Sequence, residues 1–127
     1  MAYLPEGVVI NNLIKDLRIY SWEAADILLD YSKKIKNFNF KREILKSFDH
    51  KDPVTEADLK VNEKIIKNIK KNYININWEI LSEENVKNES EVRQTKSEWL
   101  WVIDPLDGTK DFIQGTGNYA MHLALNY

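Results

Sequence analysis

An apolar run that passes directly into two closely spaced aspartates constrains the fold of this chain most. Trp99–Ile103 has the length and composition of a buried strand. Asp104 follows it at once, Asp107 comes three residues later, and Pro105 stiffens the backbone between the two aspartates. The sequence therefore predicts a strand that carries two carboxylates to one edge of a sheet.

The residues after this strand predict a place where an anion could bind. Gly108 and Thr109 open a short helix, which Gly115 ends. The first N–H groups of a helix attract phosphate, and carboxylate oxygens are the ligands that Mg²⁺ prefers in proteins. We therefore expect half of a cation site beside a phosphate site. The alternative for Asp104 and Asp107 is an ordinary turn, in which Asp-Pro and Asp-Gly are common.

Periodic apolar residues predict the elements around this segment. Three- and four-residue spacing indicates two helices, and alternation of apolar and polar residues indicates two more strands. The first helix is expected to break near Tyr20, with Ser21 as the cap of its second part. The resulting fold class is α+β, or layered α/β, with two N-terminal helices packed on a mainly antiparallel sheet. The helices are expected over residues 5–36 and 55–71, and the further strands over 74–81 and 118–126.

Length and composition favour one soluble domain over residues 1–127. Apolar residues make up 43% of the sequence and charged residues 30%, as in globular proteins. A formal net charge of −2 gives no reason to expect nucleic acid or an anionic membrane as a partner. The chain has no cysteine, which excludes a thiolate metal site and fits the reducing cytoplasm, and no apolar run is long enough to span a bilayer.

Acidic residues stand at the ends of three predicted elements: Asp58 at the start of a helix, and Glu83, Glu84, Asp104 and Asp107 after strands. If the two strands are neighbours whose carboxyl ends meet, Glu83, Asp104 and Asp107 converge. Such a cluster of like charges is unfavourable unless a divalent cation joins it, and an oxygen-only ligand set favours Mg²⁺ or Mn²⁺ over Zn²⁺. The alternatives are a simple helix cap for Asp58 and an exposed acidic loop for the two glutamates.

Three segments resemble, in order and spacing, the three N-terminal motifs of the inositol monophosphatase family. They are Pro-Val-Thr-Glu-Ala-Asp at 53–58, Ser-Glu-Glu at 82–84, and Trp-Val-Ile-Asp-Pro-Leu-Asp-Gly-Thr-Lys-Asp-Phe at 101–112. The resemblance implies an α/β sandwich and a Mg²⁺-dependent hydrolase of a small phosphorylated metabolite. Leu106 and Lys110 make the third motif most similar to that of the 3′(2′),5′-bisphosphate nucleotidase branch. Inositol phosphate and histidinol phosphate phosphatases are the alternatives.

The resemblance also implies which residues would bind metal. Glu83 and Asp104, with the backbone carbonyl of Leu106, would hold a first Mg²⁺, and Asp104 and Asp107 would hold a second. Glu84 would contact these ligands and help to position them without binding the metal itself.

The same resemblance implies the catalytic and phosphate-binding residues. Asp58 paired with Thr109 would orient and help to deprotonate the attacking water. The backbone N–H groups of Gly108 and Thr109 would bind the phosphate oxygens.

The resemblance covers only the N-terminal half of the family domain. The family supplies a further metal-binding aspartate from a Trp-Asp motif in its C-terminal half, whereas every aspartate here lies at or before Asp111. We therefore expect the second metal site to be one ligand short, and the predicted third strand to lack a cover. A metal- or phosphate-binding fragment without turnover is thus the alternative to an enzyme. A homo-oligomer or the missing C-terminal half is the expected partner.

Overall fold

The computed structural model describes residues 3–35, 56–86 and 97–127. Helices in these ranges pack on a three-stranded sheet, which confirms the predicted α+β class. Thr55, the expected start of the second helix, lies outside the described residues. In chain order the elements are α1 (Ile10–Ile35), α2 (Glu56–Asn72), β1 (Glu79–Ser82), α3 (Glu83–Val86), β2 (Leu100–Asp107), α4 (Thr109–Gln114) and β3 (Ala120–Asn126).

Helix α1 runs without interruption for 26 residues, so the predicted break near Tyr20 is wrong. The Ser21 hydroxyl donates to the Leu17 carbonyl at 2.8 Å, which is a bond inside a helix and not a cap. One buried stripe continues through the expected break, and this packing keeps the helix whole. Its members are Leu13, Tyr20, Ala24, Leu28, Tyr31 and Ile35.

Helix α2 packs against both α1 and β2. Polar side chains also join the two helices: the Tyr73 hydroxyl donates to Asp16, and the Asn72 amide donates to the Tyr20 hydroxyl at 2.6 Å. The apolar stripe predicted for α2 is confirmed, with Ala57, Val61, Ile65 and Ile69 all fully buried. Since Asp58 lies in the first turn of α2, this packing places a buried acidic residue in the helix that covers the sheet.

The sheet has the order β1-β2-β3, with β1 parallel and β3 antiparallel to the central strand. Within the described residues the sheet is therefore mixed, where the sequence indicated a mainly antiparallel one. Residues 83–99 connect β1 to β2 and are numerous enough for the crossover that parallel neighbours require. The carboxyl ends of β1 and β2 consequently lie at the same edge of the sheet.

The sheet contributes the other half of the core. Trp101 and Ile103 on β2 are buried beneath the helices, and Trp78 packs edge-on against Trp101 with ring centroids 5.3 Å apart. Leu106 and Phe112 extend this core towards α4. No helix in the part of the chain that the structure describes is long and apolar enough to cross a bilayer.

Candidate metal and phosphate site

Strand β2 extends through Asp107, so the expectation that the strand ends at Ile103 and that both aspartates follow it is wrong. Asp104 lies opposite His122 of β3, whereas Asp107 lies opposite Ala120. Three steps along β2 therefore face two steps along β3, which is a bulge. Pro105 occupies the bulge, where its missing N–H removes no regular ladder bond. The bulge lets a single strand present two carboxylates at its end.

The parallel pairing of β1 and β2 brings the Glu83 and Asp104 carboxyl groups into contact. Ser82 is in register with Ile103, and each of these residues is followed in the chain by an acidic residue, Glu83 or Asp104. Burial, followed by the hydrogen bond and the charge of Glu83, raises the pKa of Asp104 from 3.8 to about 6. The Leu106 N–H donates to Asp104 Oδ1 at 3.2 Å and only partly offsets this rise. Two like groups thus face each other at the sheet edge.

Asp107 is close to this pair but is turned towards the other side of β2. Its Oδ2 atom lies 3.3 Å from Nε2 of His122, and both side chains are exposed. Its charge makes a further, smaller contribution to the raised pKa of Asp104. Across the described ranges, no three histidine, cysteine, aspartate or glutamate side chains form a group that could hold a metal ion. The structure thus assembles two of the expected metal-binding carboxylates, Glu83 and Asp104.

Gly108 joins β2 to α4 in a conformation that other residues rarely adopt. Its φ angle is +81°, and a Cβ atom at this position would lie 2.5 Å from the backbone oxygen of Asn118. Thr109 then begins α4 as the sequence predicted, and its hydroxyl donates to the Leu106 carbonyl at 3.3 Å. The predicted phosphate-binding residues and the carbonyl predicted to bind metal therefore belong to one hydrogen-bonded segment.

Asp58 and Glu84 are both buried, although both carry an ionisable group. Asp58 is 2% exposed in the first turn of α2, and Glu84 is 6% exposed in α3. Each has an interaction partner, as buried acids require. The catalytic pairing of Asp58 with Thr109 and the supporting role of Glu84 stay predictions.

Asn62 and His122 are the side chains near this site that sequence reasoning passed over. Asn62 lies on α2 one turn after Asp58 and is 9% exposed, so a polar side chain stands where the helix pattern calls for an apolar one. That polar interruption is the signal that could have identified it. His122 has no metal-binding residue near it in the sequence, and only the register of β3 reveals its contact with Asp107.

Comparison with known proteins decides the family. Residues 13–127 match the model of the inositol monophosphatase family. The chain belongs to this family. The resemblance predicted from three short motifs is thereby confirmed over nearly the whole chain.

Two relatives in this family illustrate the degree of similarity. The chain is 34% identical to the 3′(2′),5′-bisphosphate nucleotidase CysQ of Haemophilus influenzae over 93 residues, which are 73% of this chain and 34% of that protein. It is 32% identical to an inositol monophosphatase of Dictyostelium discoideum over 108 residues, which are 84% of this chain and 38% of that protein. The chain thus spans well under half the length of these relatives.

A solved family structure shares the fold. An IMPase of Thermotoga maritima superposes with a TM-score of 0.64 at 24% identity, over 91% of this chain and 39% of that one. The α/β layering expected from the resemblance is therefore confirmed.

Proposed function

We propose that this chain supplies the front half of a Mg²⁺-dependent phosphate monoester hydrolase site. The observation that carries the proposal is the contact between the Glu83 and Asp104 carboxyl groups at the shared end of two parallel strands. Two carboxylates in contact repel each other unless a proton or a cation joins them. Proteins retain such pairs chiefly where they have a chemical use.

The donor atoms at this edge suit a hard divalent cation. Glu83, Asp104 and the Leu106 carbonyl offer oxygen only, which favours Mg²⁺, with Mn²⁺ as a possible substitute. Asp107 would join Asp104 at a second site. When bound, the metal neutralises these charges and lowers the pKa of a bound water.

The chain's own residues would perform the remaining tasks. Asp58 and Thr109 would orient the attacking water and accept its proton. The N–H groups of Gly108 and Thr109 would hold the phosphate oxygens at the start of α4. Glu84, which is buried and follows Glu83 in α3, would hold the ligands in place.

The proposed substrate is a nucleotide that carries a 3′ or 2′ phosphate and a 5′ phosphate. Support comes from Leu106 and Lys110 in the third motif and from the named activity of the Haemophilus influenzae relative. Inositol phosphate and histidinol phosphate are the alternatives. A cytoplasmic setting, which the absence of cysteine favours, belongs to the same proposal.

A second candidate function is binding of metal or phosphate without turnover. It is favoured by the absence, within residues 3–35, 56–86 and 97–127, of three clustered metal-binding side chains. The chain also spans only 34% and 38% of the two relatives. In this case a second copy, or a further segment, would have to complete the site.

Phosphate release by the purified chain separates the two candidates. The assay compares 3′-phosphoadenosine 5′-phosphate, inositol 1-phosphate and histidinol phosphate with Mg²⁺, with a chelator, and in the Asp104→Asn variant. Hydrolysis of the nucleotide that needs Mg²⁺ and disappears in the variant supports the enzyme. Mg²⁺ binding with phosphate release no greater than in the variant supports the second candidate. Neither binding nor release would contradict both.

A further inference from the structure

Glu83 is the first residue of a helix that is too short to be stable without contacts to the rest of the protein. Helix α3 contains four residues, Glu83–Val86, and so forms little more than a single turn. A turn of this length is unstable in isolation because helix nucleation is unfavourable. The position of Glu83 relative to Asp104 must therefore be set by contacts that α3 makes with the rest of the molecule.

Asn62 of α2 makes such contacts on both sides of Glu83. Its Oδ1 atom accepts a hydrogen bond from the hydroxyl of Ser82, the last residue of β1. Its Nδ2 atom donates to Oδ1 of Asn85 in α3 at 3.2 Å. One side chain on α2 is thus bonded to the residue before Glu83 and to the second residue after it.

The chemistry of this arrangement requires an amide. Asn62 must accept from Ser82 and donate to Asn85 at the same time, which a carboxylate or an apolar side chain of similar size does not do. Ser82 is fully buried and Asn62 is nearly so. The loss of either bond therefore leaves a buried polar group unsatisfied, which opposes the native geometry of the junction.

We propose that Asn62 is the positioning residue of the Glu83–Asp104 pair, because it ties Ser82 and Asn85 to α2 and so fixes Glu83 against β2. Asn62 and Asp58 are four residues apart and both buried, so they share one face of α2. The same helix therefore carries Asp58, the proposed catalytic base, and sets the position of Glu83. The effect on metal affinity rests on the proposed function, whereas the effect on the junction does not.

Amide hydrogen exchange of the metal-free chain tests the positioning directly. The amides of residues 83–85 should exchange at least about tenfold faster in Asn62→Leu than in the wild type, because the junction opens more often. Asn68→Leu is the matched control. Asn68 is on the same helix, but its side-chain amide donates to Glu23 of α1 at 2.6 Å and not to Ser82 or α3. This control should leave the exchange of residues 83–85 unchanged.

Mg²⁺ titration by calorimetry gives the second readout. Asn62→Leu should weaken binding on the order of 10-fold, as loss of a group that orients a metal ligand commonly does. Asn85→Ala, at an exposed position, removes one of the two bonds and should weaken binding by less. If Asn62→Leu does not fold, the Mg²⁺ affinity of Asn85→Ala tests the positioning role instead. Asn62→Asp keeps the acceptor for Ser82 and should fall between the wild type and Asn62→Leu.

The two readouts separate this inference from the proposed function. If the wild type binds Mg²⁺ and Asn62→Leu or Asn85→Ala binds it equally well with unchanged exchange, the positioning role is overturned. If the wild type binds no Mg²⁺ but exchange at residues 83–85 rises in the variants and not in Asn68→Leu, the metal site fails and the positioning role stands.

Discussion

Two half-buried aspartates lie in different surroundings: Asp16 in the helix pair, formed by α1 and α2, and Asp104 at the sheet edge, where the carboxyl ends of β1 and β2 meet. Asp16, between α1 and α2, accepts a hydrogen bond from the Tyr73 hydroxyl. Burial, and then this bond, raises the pKa of Tyr73, so the hydroxyl stays a donor. Asp104 of β2 contacts the carboxyl group of Glu83 instead, and burial, followed by this contact, raises its pKa to about 6. One acid has a complementary partner, and the other has a like-charged one.

The difference supports the proposal that the helix pair serves stability and that the carboxyl end of β2 serves binding. The helix pair combines a continuous apolar stripe with donor–acceptor pairs that are satisfied within the protein. The sheet edge holds like charges on a bulged strand next to a backbone conformation that only glycine adopts readily. Local arrangements of this kind destabilise a fold and are typical of functional sites.

The largest change in the free energy of unfolding is expected for a substitution at Gly108, where the backbone has a positive φ. Gly108→Ala should lower the free energy of unfolding by about 2–4 kcal/mol, because its Cβ would overlap the Asn118 oxygen at a positive φ. Gly115→Ala is the matched control at the other end of α4: its φ is +77°, but nothing lies within 4 Å. It should cost about 1 kcal/mol. Denaturant unfolding measures both, and equal losses would show that Gly108 is not held by close packing.

The same substitution at the two aspartates should have opposite effects. Asp104→Asn removes a like charge and should raise the free energy of unfolding at pH 7. The gain should be on the order of 1 kcal/mol, because Asp104 is only partly buried and solvent screens much of the repulsion. Asp16→Asn weakens a charge-assisted bond and should lower stability by about 0.5–1 kcal/mol. Denaturant unfolding without metal measures both, and losses in both variants would contradict the comparison.

The pH dependence of stability should carry the signature of Asp104. Its pKa is raised in the folded chain, so the folded state binds the proton more tightly than the unfolded state. This contribution to stability is complete below about pH 4 and is lost as the pH rises through about 6. The difference in unfolding free energy between wild type and Asp104→Asn should therefore grow over this window. A difference that does not vary with pH would mean that neither burial nor Glu83 raises the pKa of Asp104 in the folded chain.

His122 gives the smallest expected effect and tests whether Asp107 is committed to a partner. The pair is exposed on both sides, so His122→Ala should change the free energy of unfolding by less than about 0.5 kcal/mol. Asp107 would then remain available for a cation. A decrease in the free energy of unfolding above about 1.5 kcal/mol would instead show that Asp107, like Asp16, has a partner that stabilises the fold. Thermal and denaturant unfolding of the variant decide between these results.

Local patterns in the sequence predicted the elements around Asp104 and Asp107 better than they predicted how distant segments pair. The Asp-Pro-x-Asp-Gly-Thr segment identified a strand, two carboxylates and the start of α4, because these depend on neighbouring residues. The bulge at Pro105 and the contact of His122 with Asp107 depend on strand register, which distant residues set.

Contacts between distant residues also explain two wrong predictions of element bounds and the failure to identify Asn62 from the sequence. Ser21 resembles a helix cap, yet packing of α1 against α2 keeps the helix continuous there. The alternation over residues 74–81 indicated a longer strand than β1, which pairs with β2 only over Glu79–Ser82. Asn62 carries no motif, and its importance appears only when Ser82 and Asn85 are brought to it.

Calorimetric titration of the chain with Mg²⁺, beside the Asp104→Asn variant, tests the central claim most directly. If Glu83 and Asp104 form a cation site, the wild type should bind Mg²⁺ and the variant should not, although the variant is the more stable protein without metal. Equal binding by both proteins, or no binding by the wild type, would contradict the account.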